Sequence, residues 1–432
     1  MGAFHGENGD TVMSGETTDR SRSARRLVAL VCLAQVLVQI GAFFWPALLP
    51  RLAPLWGLTN SEAGWVTASF YGAYMLAVPV LVTLTDRLDP KRIYLLGVAL
   101  TFGGHLAFGL YADEFWSALV CRAVTGVGWA GTYMTGLKLL ADRVDAKLMS
   151  RATAGHAASI GLSGALSFAT GEWLAVLAGW QSAFIAAAIS AAIAWVLILA
   201  VVPAQQAAPR RAADGGALYD FRPVFRNKSA MAYALAYAIH TLEMSALRGW
   251  GVAFLAWVAL RTGNSAAALS PAVLATALGL VGTATSILGN EASIRLGRRR
   301  LVQTAMLASI VMAASIGYVG SVSYELAAAL LLVYGAVVWL DSSSLTAGAA
   351  GTAEPSRRGA TLAVHSMLGY AGGFVGPLLV GWMLDYSGGM SALGWSMAFG
   401  SVAVLMAAAL LAFWYIRPEE LTGDRGAHKV KT

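Results

Sequence analysis

A small set of polar side chains lies in stretches of this chain that are otherwise apolar, and their types suit proton and anion chemistry. His240 and Glu243 are three residues apart within 229–259, so a helix there puts them on one face. At roughly 1.5 Å per residue, Glu243 falls near the middle of that stretch. A carboxyl group out of water beside an imidazole can take up and release a proton near neutral pH. The structural alternative is a buried hydrogen-bonded pair that locks the helix. Arg248 lies five residues beyond Glu243 and points roughly 140° away from it, so the two are not direct partners. Its guanidinium could bind an anion or snorkel to the membrane surface. Gly249 and Gly251 follow, consistent with a broken outer half to this helix.

Asp341, in 323–349, is followed by Ser342, Ser343, Ser344 and Thr346. A carboxylate among hydroxyls could hold a proton, a cation or a polar solute, or it could belong to a helix-packing network. Arg122, in 114–139, could pair with a carboxylate or grip an anion by a bidentate contact. Gln35 and Gln39 are four apart on one face of 27–50, suited to hydrogen bonds with a solute or between helices. His365, in 359–384, is a further titratable candidate, while His105 and His156 read as structural.

These residues need a scaffold, and composition identifies its class. Hydrophobic residues make up 57% of the 432-residue chain and charged residues 12%, far from the soluble globular norm. Twelve apolar stretches, from 27–50 to 391–416, are each near or above the roughly 20 residues that cross a bilayer. Ten-residue alternation is absent, which disfavours a β-barrel. The chain therefore reads as an all-α polytopic membrane protein.

The formal charge of +7 reports topology rather than nucleic acid. Nearly all the basic residues fall in loops on one side. Arg51 and Arg261 fall in loops on the other, and Arg122 and Arg248 lie within spans. This positive-inside pattern predicts both termini to be cytoplasmic. Cys32 and Cys121 have no metal or disulfide spacing.

The chain also repeats itself. Arg87-Leu88-x-x-Lys91-Arg92 returns as Arg295-Leu296-x-x-Arg299-Arg300, and Gly161 and Gly164 return as Gly369 and Gly372 at the same offset. The expected organisation is a disordered cytoplasmic tail (1–26), a six-helix bundle (27–203), a cytoplasmic linker (204–228), a second six-helix bundle (229–416) and a cytoplasmic C-terminal tail (417–432). Six spans is an even number, so the halves are parallel repeats with a site between them near mid-membrane.

Twelve spans in two sixes, a long central loop and a basic motif after span two resemble the major facilitator superfamily. That family carries a Gly-x-x-x-Asp-Arg-x-Gly-Arg-Arg-type motif in this loop. Asp86, Arg87 and Lys91 match its charged positions and Arg92 lies just beyond, while Val82 and Asp89 stand where glycines are usual and Pro90 replaces a basic residue. Arg122 with Gly126 and Gly128 resembles the family's Arg-x-x-x-Gly-x-Gly pattern in span four. Gly369, Gly372, Gly373, Gly376 and Pro377 fit its close-packed stripe in span eleven.

The resemblance implies that spans 1, 4, 7 and 10 line a cavity. It implies that Arg122 helps couple solute to proton, and that Asp86, Arg87, Lys91 and Arg92 form a cytoplasmic gate. It further implies a secondary transporter that moves a small polar or anionic solute by alternating access, expected to be proton-coupled, monomeric, without cofactor, and set in a bacterial inner membrane. Efflux by proton antiport is an alternative, although the proline of the family's span-five antiporter motif is missing between Ser150 and Gly179. A non-transporting sensor or assembly factor is a second. No phosphate loop, Gly-x-Ser-x-Gly or His-Glu-x-x-His site occurs, so an enzyme is not expected.

Overall fold

The computed structural model describes residues 8–85, 87–205, 221–264 and 269–425. The first half contains α1 (Asn8–Gln39), α2 (Phe44–Leu55), α3 (Asn60–Leu84), α4 (Pro90–Tyr111), α5 (Phe115–Ala130), α6 (Tyr133–Ala141), α7 (Ala146–Ala178) and α8 (Trp180–Val201). A five-residue helix, α9 (Arg222–Arg226), precedes the second half: α10 (Lys228–Arg261), α11 (Pro271–Leu296), α12 (Arg298–Val319), α13 (Tyr324–Trp339), α14 (Ser342–Gly351), α15 (Arg358–Tyr386) and α16 (Ala392–Ile416). Most of the expected linker, 206–220, lies outside the described residues.

Among the described residues, ten helices are long and apolar enough to cross a membrane, which makes this a multi-pass membrane protein. Two further spans complete the expected twelve. One is interrupted, since α5 has only 16 residues and the break at Gly131–Thr132 separates it from α6. The other is α10, whose 34 residues suffice in length but whose His240, Glu243 and Arg248 lower its hydropathy.

The first helix is described from Asn8. One expectation is corrected here. The helix of 229–259 does not break: α10 is continuous through Gly249 and Gly251. Those glycines instead admit neighbours, with Thr67 and Pro377 against Gly249 and Leu331 against Gly251.

Breaks occur elsewhere. The first span is interrupted between Gln39 and Phe44, the fourth at Gly131–Thr132 and the tenth at Leu340–Asp341. A helix can open inside a bilayer only where protein covers the freed backbone groups. At the first break the Ser167 hydroxyl of α7 accepts from the Phe43 N–H at 2.9 Å. At the third, the Leu340 carbonyl lies over Gly289 of α11.

The halves meet along α3 with α15, α7 with α11 and α2 with α10. Asn60 and Ser61 donate to the Asp385 carboxylate, and the Ala169 N–H donates to Thr276. These bonds lie toward the face opposite the Arg-rich loops. Within the second half, α10 and α15 approach so closely that a Cβ on Gly372 would strike the Ala238 carbonyl, and one on Gly376 the Leu242 carbonyl.

Gly372→Ala should therefore lower the melting temperature of the purified protein, as overpacking that costs about 1–3 kcal/mol. Gly400, with nothing near its missing Cβ, is the control, and Gly400→Ala should melt as wild type. A Gly372→Ala protein with unchanged melting would show that this contact does not limit packing.

Candidate functional site

Arg248 stands at the centre of the molecule. Its guanidinium lies 4.7 Å from the ring centroid of Trp339, the last residue of α13, and 5.1 Å from that of Phe43, at the break of the first span. It thus touches both halves, and two of the three interrupted spans, from the unbroken α10. Among the described residues no carboxylate pairs with it, and three tyrosines lie within its electrostatic reach: Tyr71, Tyr237 and Tyr370. The snorkelling alternative is overturned, because the side chain packs between the halves rather than reaching for the membrane surface. Cation–π contacts of this kind contribute about 0.5–2 kcal/mol, too little to replace a counter-ion.

Two turns along α10, the expected partnership changes. His240 pairs with Asp341 rather than Glu243, with Nδ1 3.0 Å from Oδ1 and both side chains buried. The approach is a close polar contact without the alignment of an in-plane hydrogen bond. Glu243 is fully buried but faces Tyr334 of α13 and Ser309 of α12. Positions three apart on a helix are offset by about 60°, enough here for one to face the break at Asp341 and the other the bundle interior. His365 of α15 joins the first group, with Nε2 3.2 Å from the Thr346 hydroxyl. Its ring stacks on Tyr237 at 4.1 Å, and Tyr237 in turn stacks on His240. His240, Asp341, His365, Thr346 and Tyr237 are therefore one cluster.

In the first half, Arg122 is buried on α5 with its guanidinium 4.5 Å from the Phe70 ring. Its Nε and one Nη have no hydrogen-bond partner among the described residues. Tyr71 lies within electrostatic reach of both Arg122 and Arg248, so cations from opposite halves converge on one phenol. Gln35 accepts from the Tyr94 hydroxyl at 3.0 Å, and both Gln35 and Gln39 are buried with an Nε2 that has no hydrogen-bond partner among the described residues. His156 contacts the Tyr133 carbonyl at 2.9 Å.

The convergence of Tyr71, Tyr74, Tyr237 and Tyr370 escapes sequence reasoning. Tyr74 and Tyr370 stack across the halves with centroids 3.8 Å apart. Tyrosine carries no charge pattern, and only the meeting of distant spans shows that these phenols share a space.

At the Arg-rich face, Asp86 lies outside the described residues. Arg87 and Arg92 are exposed. Lys91 is buried, and its Nζ donates to the Leu199 and Val202 carbonyls at the end of α8. In this conformation Lys91 is thus a strut within one half rather than a bridge to the other. The acid that organises the loop is Asp89, which stands where a glycine is usual. It caps α4 through the Lys91 N–H at 3.0 Å, accepts from Gln205 N–H at 2.8 Å and pairs with Arg143 at 2.8 Å. An Asp immediately before Pro90 is a helix-start signal that sequence alone provides.

The repeated loop inverts this polarity. Buried Arg298 takes the Asp424 carboxylate by two nitrogens and also donates to Asn290.

The family model of the Major Facilitator Superfamily matches residues 31–340, well over half of the chain. Human protein spinster homolog 1 is 25% identical over 289 residues, covering 63% of this chain and 54% of that protein. The sphingosine-1-phosphate transporter SPNS2 of Mus musculus is 24% identical over 233 residues, 51% of this chain and 42% of that one. The chain thus spans about half the length of the curated relatives it matches. A solved structure of a bacterial homologue of the human lysosomal transporter spinster, inward-facing and unoccupied, superposes with a TM-score of 0.73. It is 13% identical and covers 91% of this chain and 97% of that one, which shows the fold.

Asp89 supports a pH test. Burial pushes its carboxyl upward, but the Gln205 and Lys91 N–H groups and the Arg143 guanidinium outweigh burial and hold it below the usual carboxylate range. A folded-state pKa below the unfolded one contributes stability at neutral pH, lost as pH falls through the folded value. Asp89→Asn should therefore lower the melting temperature at pH 7, with the gap to wild type closing below about pH 4. A gap independent of pH would mean that the charge of Asp89 contributes nothing.

Proposed function

This chain belongs to the Major Facilitator Superfamily, and we propose that it is a secondary active transporter moving a small anionic or polar solute by alternating access, coupled to a proton carried on His240 and Asp341. Arg248 is the observation that carries the reading. A cation without a carboxylate partner, gripped by an aromatic ring from each half, calls for an anion that both halves can hold together. The phosphate-bearing solute named for one relative agrees with this sign of charge.

Geometry supplies the coupling. His240 and Arg248 are eight residues apart on one continuous helix, roughly 12 Å along its axis. At an effective dielectric of about 20, unit charges at that distance interact by about 1.4 kcal/mol, close to tenfold in affinity. An anion at Arg248 and a proton at the His240–Asp341 pair therefore favour each other, and this is the sign that symport requires. Arg122 reaches the same centre through Tyr71 from the other half. Glu243 is turned away from this pair, toward Tyr334 of α13 and Ser309 of α12.

The basic loops set the orientation, with both termini cytoplasmic. The transporter sits in a cell membrane, the inner membrane in a bacterial cell, and works as a monomer. The charged loops after spans two and eight act as gates that remodel as the halves rock. The relatives and family named above are transporters rather than enzymes.

The test uses the full chain in proteoliposomes. A panel of small carboxylates and phosphomonoesters is screened first for raised melting temperature. The stabilising anion is then followed into vesicles under an imposed pH gradient. Arg248→Gln should weaken binding at least about tenfold, the loss of a charge-assisted bidentate contact. Asp341→Asn should still bind the anion but lose accumulation driven by the gradient. Accumulation that survives collapse of the gradient would rule out the proton, and an Arg248→Gln protein that binds normally would rule out the site.

A further inference from the structure

We propose that a pocket at the Arg-rich face of the second half binds the phosphate headgroup of an anionic phospholipid. The pocket, of about 570 Å³, lies between the start of α12, the end of α16 and the chain that follows α16. Arg299, Arg300, Arg417 and Arg425 line it with a single acid, Glu420, and the indole of Trp414. Topology alone accounts for basic residues on this face, but not for their convergence on one concavity.

The chain after α16 is folded so as to build it. Arg417 has φ 50°, the only non-glycine residue with positive φ among the described residues. A left-handed residue of this type is held only where its surroundings demand it. It turns the chain back beneath α12 and places the Arg417 guanidinium 5.7 Å from the Trp414 ring. The returning segment is then pinned, as the Arg425 N–H donates to the Ile294 carbonyl at 2.9 Å.

The acids of this segment are already engaged. Asp424 is taken by Arg298. Glu420 accepts from the Arg298 and Arg299 N–H groups at the start of α12 and lies 3.6 Å from the Arg299 side chain. Arg300, Arg417 and Arg425 have no carboxylate partner among the described residues. Three such guanidinium groups around one cavity suit a phosphate, which takes forked donors bidentately.

A lipid suits the site better than a soluble phosphate because its walls are the ends of membrane helices. Trp414 and Tyr415 are 57% and 83% exposed, and Leu411 below them is 67% exposed, so an apolar strip runs from the pocket along α16. Aromatic side chains at this level mark the headgroup boundary, and basic pockets between helices at this surface take acidic headgroups. The first half has a cavity of similar size, about 600 Å³, with different walls: residues 23–27 of α1, the connection before α7 and the end of α8. Its Arg143 is spent on Asp89, and Asp145 shares the wall.

Full-length purified protein in neutral detergent is titrated with dioctanoyl phosphatidylglycerol, dioctanoyl phosphatidylcholine and inorganic phosphate, and melting temperature is read. The phosphatidylglycerol should raise it saturably and the phosphatidylcholine should not. Each exposed arginine removed should weaken the response about fivefold. Arg300→Gln tests this alone, and Arg417→Asn tests it while tolerating the left-handed backbone. Arg26→Gln, in the separate cavity of the first half, should change nothing. An equal response to phosphatidylcholine, or one untouched by either variant, would overturn the proposal. Equal stabilisation by inorganic phosphate, lost in the same variants, would overturn the lipid and leave a soluble phosphate as the ligand.

Discussion

A backbone carbonyl or an ionised side chain cannot be left facing hydrocarbon, and this constraint arranges nearly everything in the molecule. Helices that face lipid run unbroken. The three interrupted spans open where a partner covers the gap, as Ser167 does for Phe43 and α11 does for Leu340. The charges follow the same rule. His240 finds Asp341 at a break and Arg248 finds the rings of Phe43 and Trp339 at two breaks, whereas Glu243 faces Tyr334 and Ser309 with neither oxygen hydrogen-bonded among the described residues. Polar chemistry in the membrane thus gathers where the helices are discontinuous.

One helix of the centre is continuous, and in the proposed mechanism it sets the distance between solute and proton. Because α10 carries both His240 and Arg248 without a break, the distance between them is fixed by helix geometry and not by a flexible joint. In the proposed mechanism, an anion at Arg248 would act on the His240–Asp341 pair by electrostatics across that set separation. The interruptions lie in the neighbouring spans, at Phe43 and Leu340, while α15 packs closely on α10 through Gly372 and Gly376.

The architecture was legible in the sequence because hydropathy, loop charge and the offset repeat are each one-dimensional signals. Arg248 and Asp341 could be picked out as candidates for the same reason, since a charge in an apolar run is conspicuous on its own. Their partners were not legible. Spacing suggested His240 with Glu243, but a 60° offset on the helix sends them to different neighbours, and the true partner lies about a hundred residues away at a break that no proline or glycine announces. The tyrosine convergence around Tyr71 is invisible for a similar reason, being made by spans distant in the chain. Asp89 was overlooked because it occupies a family glycine position, where its value as an N-cap before Pro90 was available but unused.

The central claim is that an anion at Arg248 and a proton at His240–Asp341 bind as a linked pair. It is tested most directly by mixing the purified protein with the stabilising anion in lightly buffered solution and following pH with an indicator dye. Wild type should take up protons as the anion binds, with the uptake saturating at the same concentration as binding, and Asp341→Asn should bind without a pH change. Anion binding by wild type with no proton uptake would contradict it.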